Sequence, residues 1–157
     1  MNKIVKYGSF AALSIGLFIS GAVAADMMVK HNQENAKAPY ASSVVVPGGY
    51  NMYFISGSTG EGTDTAAQTA ATLAGLKAQL AKLGLTFGDV VQAHVFLVGD
   101  PGKGGKMDFA GMNSSWFKEF GTAAQPNKPA RAAFQVASLA GSTDLVEIEF
   151  IAVKKAN

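Results

Sequence analysis

Apolar and polar positions change period several times along the chain, and each change marks an element. Residues 43–47 and 51–56 are runs rich in Val, Tyr, Phe and Ile, split by Gly48-Gly49, a pattern that predicts a hairpin. Ser56-Gly57-Ser58-Thr59-Gly60 ends the second run in a loop. Over 64–83 the period becomes helical: Leu73, Leu76, Leu80 and Leu83 recur at three and four and form one stripe. Thr63 or Asp64 is placed to cap that helix, and Gly84 to stop it in the left-handed conformation. Residues 89–98 (DVVQAHVFLV) are apolar on both faces and predict a strand covered on both sides. The Gly/Lys-rich stretch 99–107 (GDPGKGGKM) reads as a flexible surface loop. A second helix is expected at about 108–120, with Asp108 as cap and Phe109, Met112, Trp116, Phe117 and Phe120 on a broad apolar face. Residues 131–138 and 144–154 read as two strands joined by 140–143, a second hairpin. In the last strand Val146, Ile148, Phe150 and Ala152 point one way, and Glu147 and Glu149 the other.

The predicted order is β-β-α-β-α-β-β, an α+β sheet with both helices on one face. Its other face is expected to carry Arg131, Ala133 and Gln135 beside Glu147, Glu149, Ile151 and Val153. Aliphatics mixed with isolated charges suit neither a core nor a solvated surface, so contact with another subunit is expected there.

The N-terminus has a different character. Lys3 and Lys6 precede an apolar run over 10–23, and Ala22-Val23-Ala24 offers a small-residue cleavage site. This is the pattern of a signal peptide over 1–24, giving a periplasmic or secreted chain that starts at Ala25 or Asp26. The competing reading, an uncleaved anchor, asks for ~20 apolar residues, more than the run offers. Residues 25–38 are polar and aperiodic and predict a flexible lead-in, followed by a single domain over 39–157.

Charge and cysteine content narrow the chemistry. With 13 basic and 11 acidic residues and no basic cluster, nucleic acid is not an expected partner. The chain has no Cys, so disulfides and thiol chemistry are excluded. The 99–107 loop fails as a phosphate loop: Asp100 stands where the first Gly is needed, and Met107 where a hydroxyl would hold Mg²⁺. His31 and His94 lack the spacing of a metal site, and no Gly-x-Ser-x-Gly elbow surrounds the serines near 56.

Arg131, in PARAAFQV (129–136), is the cation left to explain. One reading pairs it with Glu147 or Glu149 across the second hairpin. The other makes it the anchor of a small carboxylate, because a guanidinium presents two parallel N–H donors to two oxygens. A nearby glutamate would then position water or move a proton.

The same residues carry a resemblance. Pro129-Ala130-Arg131-Ala132-x-Phe134-x-x-Ala137-x-Leu139, followed by Val146-Glu147-Ile148-Glu149 and Ile151-Ala152, is similar to the C-terminal signature of the Rid/YjgF family of reactive-intermediate deaminases. Pro39-Tyr40, Ile55-Ser56-Gly57, Gln68, Leu83-Gly84, Asp89-Val90-Val91, Asn113 and Phe120 follow in matching order, so the resemblance spans about 39–155. It implies a chorismate-mutase-like α+β fold assembled as a homotrimer, with the sheets forming a central barrel and clefts between subunits. It implies hydrolysis of enamine/imine acids to 2-keto acids and ammonia without a cofactor or metal. By position, Arg131 matches the carboxylate anchor and Glu147 the acid that positions water. Tyr40, Ser56, Gly57, Asn113 and Ala133 match residues that line the cleft, Ala133 standing where the family often has Cys. The sequence departs from the pattern in residues added around 99–107, in Ser58-Thr59, in Ala140 after Leu139, and in the export signal. The alternative on the same scaffold is a non-catalytic periplasmic ligand-binding or holdase protein.

Overall fold

The computed structural model describes residues 28–156; the predicted signal peptide and its cleavage site lie outside them. The elements are β1 (Lys30–Asn32), β2 (Ser43–Val45), β3 (Tyr50–Ser58), α1 (Thr65–Lys82), β4 (Val90–Leu97), α2 (Phe109–Trp116), β5 (Ala130–Gln135) and β6 (Val146–Lys155). The order is the expected one with one strand added in front.

Both helices start as the sequence dictates. The Asp64 carboxylate accepts from Ala67 N at 2.8 Å and Asp108 from Gly111 N at 2.9 Å, so each takes up a donor that the first helical turn leaves free. Gly84 takes φ +69 just past α1, where a side chain would strain the backbone. Leu73, Leu76 and Leu80 are fully buried, but Leu83 is exposed because the helix ends at Lys82 and Leu83 only caps it. The second helix is shorter than expected: α2 stops at Trp116, and Phe117 turns out to solvent.

The main sheet runs β3-β6-β4-β5. β6 is antiparallel to both β3 and β4, and β4 is parallel to β5. The strand apolar on both faces, β4, lies inside the sheet, as its sequence requires. One sheet face packs under both helices. Ala93, Val95 and Leu97 from β4 and Val146, Ile148, Phe150 and Ala152 from β6 meet Leu73, Leu76, Leu80, Met112, Trp116 and Phe120. Trp116 and Phe120 stack at 4.3 Å between ring centroids, with the Phe150 edge against both.

Neither expected hairpin forms. β2 pairs with β1, and β3 pairs with β6. β5 takes the outer edge beside β4, so β4 separates it from β6. The loop after β5 crosses to the start of α1, where the Gln68 side chain holds Leu145 N at 2.7 Å and Thr143 O at 2.9 Å. The predicted lead-in also carries β1, whose hold comes from outside itself: His31 Nδ1 donates to Lys128 O at 2.7 Å. The 99–107 loop is folded rather than loose. Asp100 is buried, accepts from Thr65 Oγ1 at 3.1 Å and Gly102 N at 2.8 Å, and bridges in backbone to Lys106. Gln135 at the end of β5 accepts from Met107 N at 2.9 Å.

Candidate active site

β5 positions Arg131 through its parallel register with β4. Arg131 lies beside Ala93, and Ala93 is fully buried under the helices. The Arg131 side chain therefore runs toward α2. Its Nη2 donates to Asn113 Oδ1 at 2.9 Å, and its Nη1 lies 3.6 Å from Met112 Sδ. The guanidinium carbon stands 4.6 Å from the Trp116 ring centroid, 5.7 Å from Phe109 and 5.9 Å from Tyr40. Three aromatic faces around a cation stabilise it electrostatically without neutralising it.

No carboxylate does so either. Among the described residues the ion pairs are Lys77–Glu119, His94–Glu149 and Lys103–Asp108. The expected Arg131 pair with Glu147 or Glu149 is absent for a topological reason: those strands are not neighbours, and their charged side chains leave the sheet on opposite faces. Burial pushes the Arg131 pKa down to about 10, with the nearby Tyr40 acting weakly the other way. The side chain stays cationic at neutral pH. Beside it opens a cavity of about 430 Å³ lined by Tyr40, Phe109, Arg131, Ala132, Ala133 and Phe134, at the free edge of β5.

The remaining predicted site residues gather elsewhere. Glu147 alternates with buried Val146 and Ile148 and so projects from the face away from the helices. The β3·β6 register shifts between Ile55 and Ser58, so Ser56 and Gly57 form an irregularity opposite Glu149, two residues along β6 from Glu147. A Cβ on Gly57 would overlap the Glu147 carboxylate, so only glycine lets that carboxylate lie where it does. Across β4, Phe96 is in register with Glu147, and its ring meets Phe134 edge-on at 5.4 Å.

The seven predicted residues thus form two groups. Tyr40, Asn113, Arg131 and Ala133 stand together at the β5 edge. Ser56, Gly57 and Glu147 stand together near the β3 edge, on the other face. The expectation that Arg131 and Ala133 share a sheet face with Glu147 and Glu149 is therefore corrected, because parallel pairing to β4 aligns Arg131 with the core-facing Ala93. Helical spacing places Trp116 and Phe109 on the apolar face of α2. Trp116 is buried, yet it is also the platform for the guanidinium, a role that their shared face with Asn113 on α2 could have suggested.

Comparison with known proteins gives the family and the fold. The family described as endoribonuclease L-PSP matches residues 4–154. A RutC family protein of Haemophilus influenzae is 39% identical over 92 residues, which are 59% of this chain and 65% of that protein. The chain thus spans 65% of the length of that curated relative. A YjgF-family protein from Neisseria meningitidis is 32% identical with a TM-score of 0.55, over 84% of this chain and 99% of the other. TdcF of E. coli, solved with bound serine, is 28% identical with a TM-score of 0.56, over 78% and 97% of the two chains. A Rid-family protein of Yersinia pestis shares the fold at 24% identity and TM-score 0.62, over 74% and 87%. Two helices on one face of a mixed sheet, with these neighbours, make an α+β chorismate-mutase-like fold.

Proposed function

Because this chain belongs to the endoribonuclease L-PSP family, the family of the YjgF and Rid proteins, we propose that it hydrolyses enamine/imine acids to 2-keto acids and ammonia. The observation that carries this reading is Arg131, a half-buried cation without a carboxylate partner among the described residues, aimed at a cavity walled by Tyr40, Phe109 and Phe134. Such a group binds a carboxylate through two parallel charge-assisted bonds. Asn113 and Met112 each take one N–H of the guanidinium and leave the others for the ligand. That TdcF holds a serine supports a small carboxylate-bearing ligand in a relative of this fold.

The catalytic acid has to come from a second copy. We assign that role to Glu147 of the partner subunit, across a cleft between subunits of a homotrimer whose sheets face one another as a central barrel. The uncovered sheet face supports this assembly, since Phe54 is 74% and Met52 57% exposed there. With the carboxylate gripped by Arg131, an enamine that has taken a proton on carbon presents a protonated imine carbon. Water attacks that carbon while Glu147 of the partner subunit takes its proton. The carbinolamine nitrogen is then protonated, the C–N bond breaks, ammonia leaves and the C=O bond forms. Positioning and proton transfer do the work, the latter typically a ~10²–10⁴-fold effect.

The test is ammonia release from freshly generated 2-iminopropanoate and larger imino acids, wild type against Arg131→Ala. The reading predicts acceleration that Arg131→Ala loses by ~10²–10³-fold. Keto-acid binding without turnover would instead favour a ligand-binding protein. We further propose export through cleavage of residues 1–24, which N-terminal sequencing of an osmotic-shock fraction tests by finding Ala25 or Asp26 first.

A further inference from the structure

Just upstream of the anchor, Lys128 is only 6% exposed and belongs to none of the ion pairs of the described residues. Its Nζ donates to Ala36 O at 2.8 Å and Ala38 O at 2.9 Å. Its backbone N donates to Gln33 Oε1 at 2.8 Å, and its O accepts from His31 Nδ1 at 2.7 Å, which fixes the proton on that ring nitrogen. The aliphatic stem passes so close to Gly121, at φ +74, that a Cβ there would overlap Lys128 Cε. An ammonium buried among carbonyls is costly, and a hydrophobic residue would fill the same space more cheaply. What the ammonium does that an alkyl chain cannot is draw two carbonyls of one turn toward a single point.

That turn leads directly into the pocket. Pro39 O accepts from Trp116 Nε1 at 2.7 Å, and Ala41 N donates to Pro129 O at 2.9 Å. Tyr40 lies between these two tethers and closes over the Arg131 guanidinium. Lys128, Pro129 and Arg131 therefore hold successive points of the same 36–41 segment. We propose that Lys128 is a positioning residue for the anion pocket, clasping the turn at 36–38 so that Tyr40 forms the pocket wall over Arg131. This rests on the carboxylate-binding role proposed above, and it gives the N-terminal arm a function in ligand affinity.

The experiment compares wild type, Lys128→Met and Lys128→Arg, with Lys154→Met as control, because Lys154 Nζ likewise holds a carbonyl, Gly84 O at 2.7 Å, but far from the pocket. Three quantities are read: amide exchange over 33–40, the Kd of pyruvate by calorimetry, and KM and kcat for the imino acid. Lys128→Met is expected to speed exchange and raise Kd and KM about tenfold, the scale of losing hydrogen bonds to a charged group. It should leave kcat nearly unchanged, because Glu147 is untouched. Lys128→Arg should recover part of the affinity, and Lys154→Met should match wild type. Should Lys128→Met fail to fold, Gln33→Ala removes one tether and is expected to move exchange and Kd in the same direction by less. Unchanged pyruvate affinity in a variant whose arm has been freed overturns the proposal, as does an arm that stays protected. A wild type that binds pyruvate but turns over no imine ends the deaminase reading and leaves Lys128 to be judged on Kd alone. A wild type that does not bind pyruvate overturns both.

Discussion

Arg131 and Glu147 leave one sheet on opposite faces, with β4 running between their strands. Arg131 reaches under the helices to Asn113 and Trp116, whereas Glu147 lies against Gly57 on the uncovered side. The proposed reaction, which uses both groups on one small molecule, therefore draws them from two copies of the chain.

The depressed pKa of Arg131 gives a signed pH dependence. Its folded value is about 10, below the ordinary arginine value, so between the two the unfolded chain binds more protons. Burial of the cation therefore costs stability below pH 10, and the cost is relieved as pH rises above that value toward the ordinary arginine range. Denaturation midpoints should show wild type gaining on Arg131→Leu as pH is raised through that window. Carboxylate affinity should run the other way, flat below about 10 and weakening above it, since the ligand needs the cation. An equal pH response in wild type and Arg131→Leu would contradict this.

Gly57→Ala should separate binding from chemistry. The new Cβ occupies the place of the Glu147 carboxylate and forces it aside. We expect kcat to fall by ~10²-fold, the scale of a lost general acid–base group. Pyruvate affinity should fall less than kcat, because the carboxylate is gripped by Arg131 of the other subunit and not by Gly57 or Glu147. Steady-state kinetics and calorimetry on one preparation check both halves. A loss confined to affinity would contradict the assignment of Glu147.

Asp108 caps the helix that carries Phe109 and Asn113. Asp108→Ala should destabilise the fold by about 1 kcal/mol, read from denaturant midpoints, and should weaken carboxylate binding more than the distal cap change Asp64→Ala does. Equal effects of the two on affinity would show that the cap supports stability only.

Local periodicity and caps were legible in the sequence, and strand partnership was not. The Leu73, Leu76 and Leu80 stripe, the Asp64 and Asp108 caps, the Gly84 stop and the alternation of Val146, Ile148 and Phe150 with Glu147 and Glu149 all follow from spacing and from single-residue conformational preference. Alternation tells which residues of one strand share a face. It does not tell which face of one strand aligns with which face of the next, so the face of Arg131 depended on knowing that β5 pairs with β4 in parallel. Hairpins were expected because consecutive strands are usually neighbours. Here the outer position of β5 and the central position of β6 set that habit aside. β1 carries no apolar signal, because its fixed place comes from Lys128, some hundred residues on. Arg131 and Glu147 stood out as charges on apolar strands, the other candidate residues came through the resemblance, and their division between two faces came only from the structure.

The most direct test mixes two inactive variants. Arg131→Ala and Glu147→Gln are unfolded together and refolded, so that their subunits mix in the proposed trimer. If each site takes Arg131 from one subunit and Glu147 from another, random mixing leaves about a quarter of sites with both native residues, and imine hydrolysis should return to about that fraction of wild type. Mixed assemblies that stay as inactive as either variant alone would contradict a shared site.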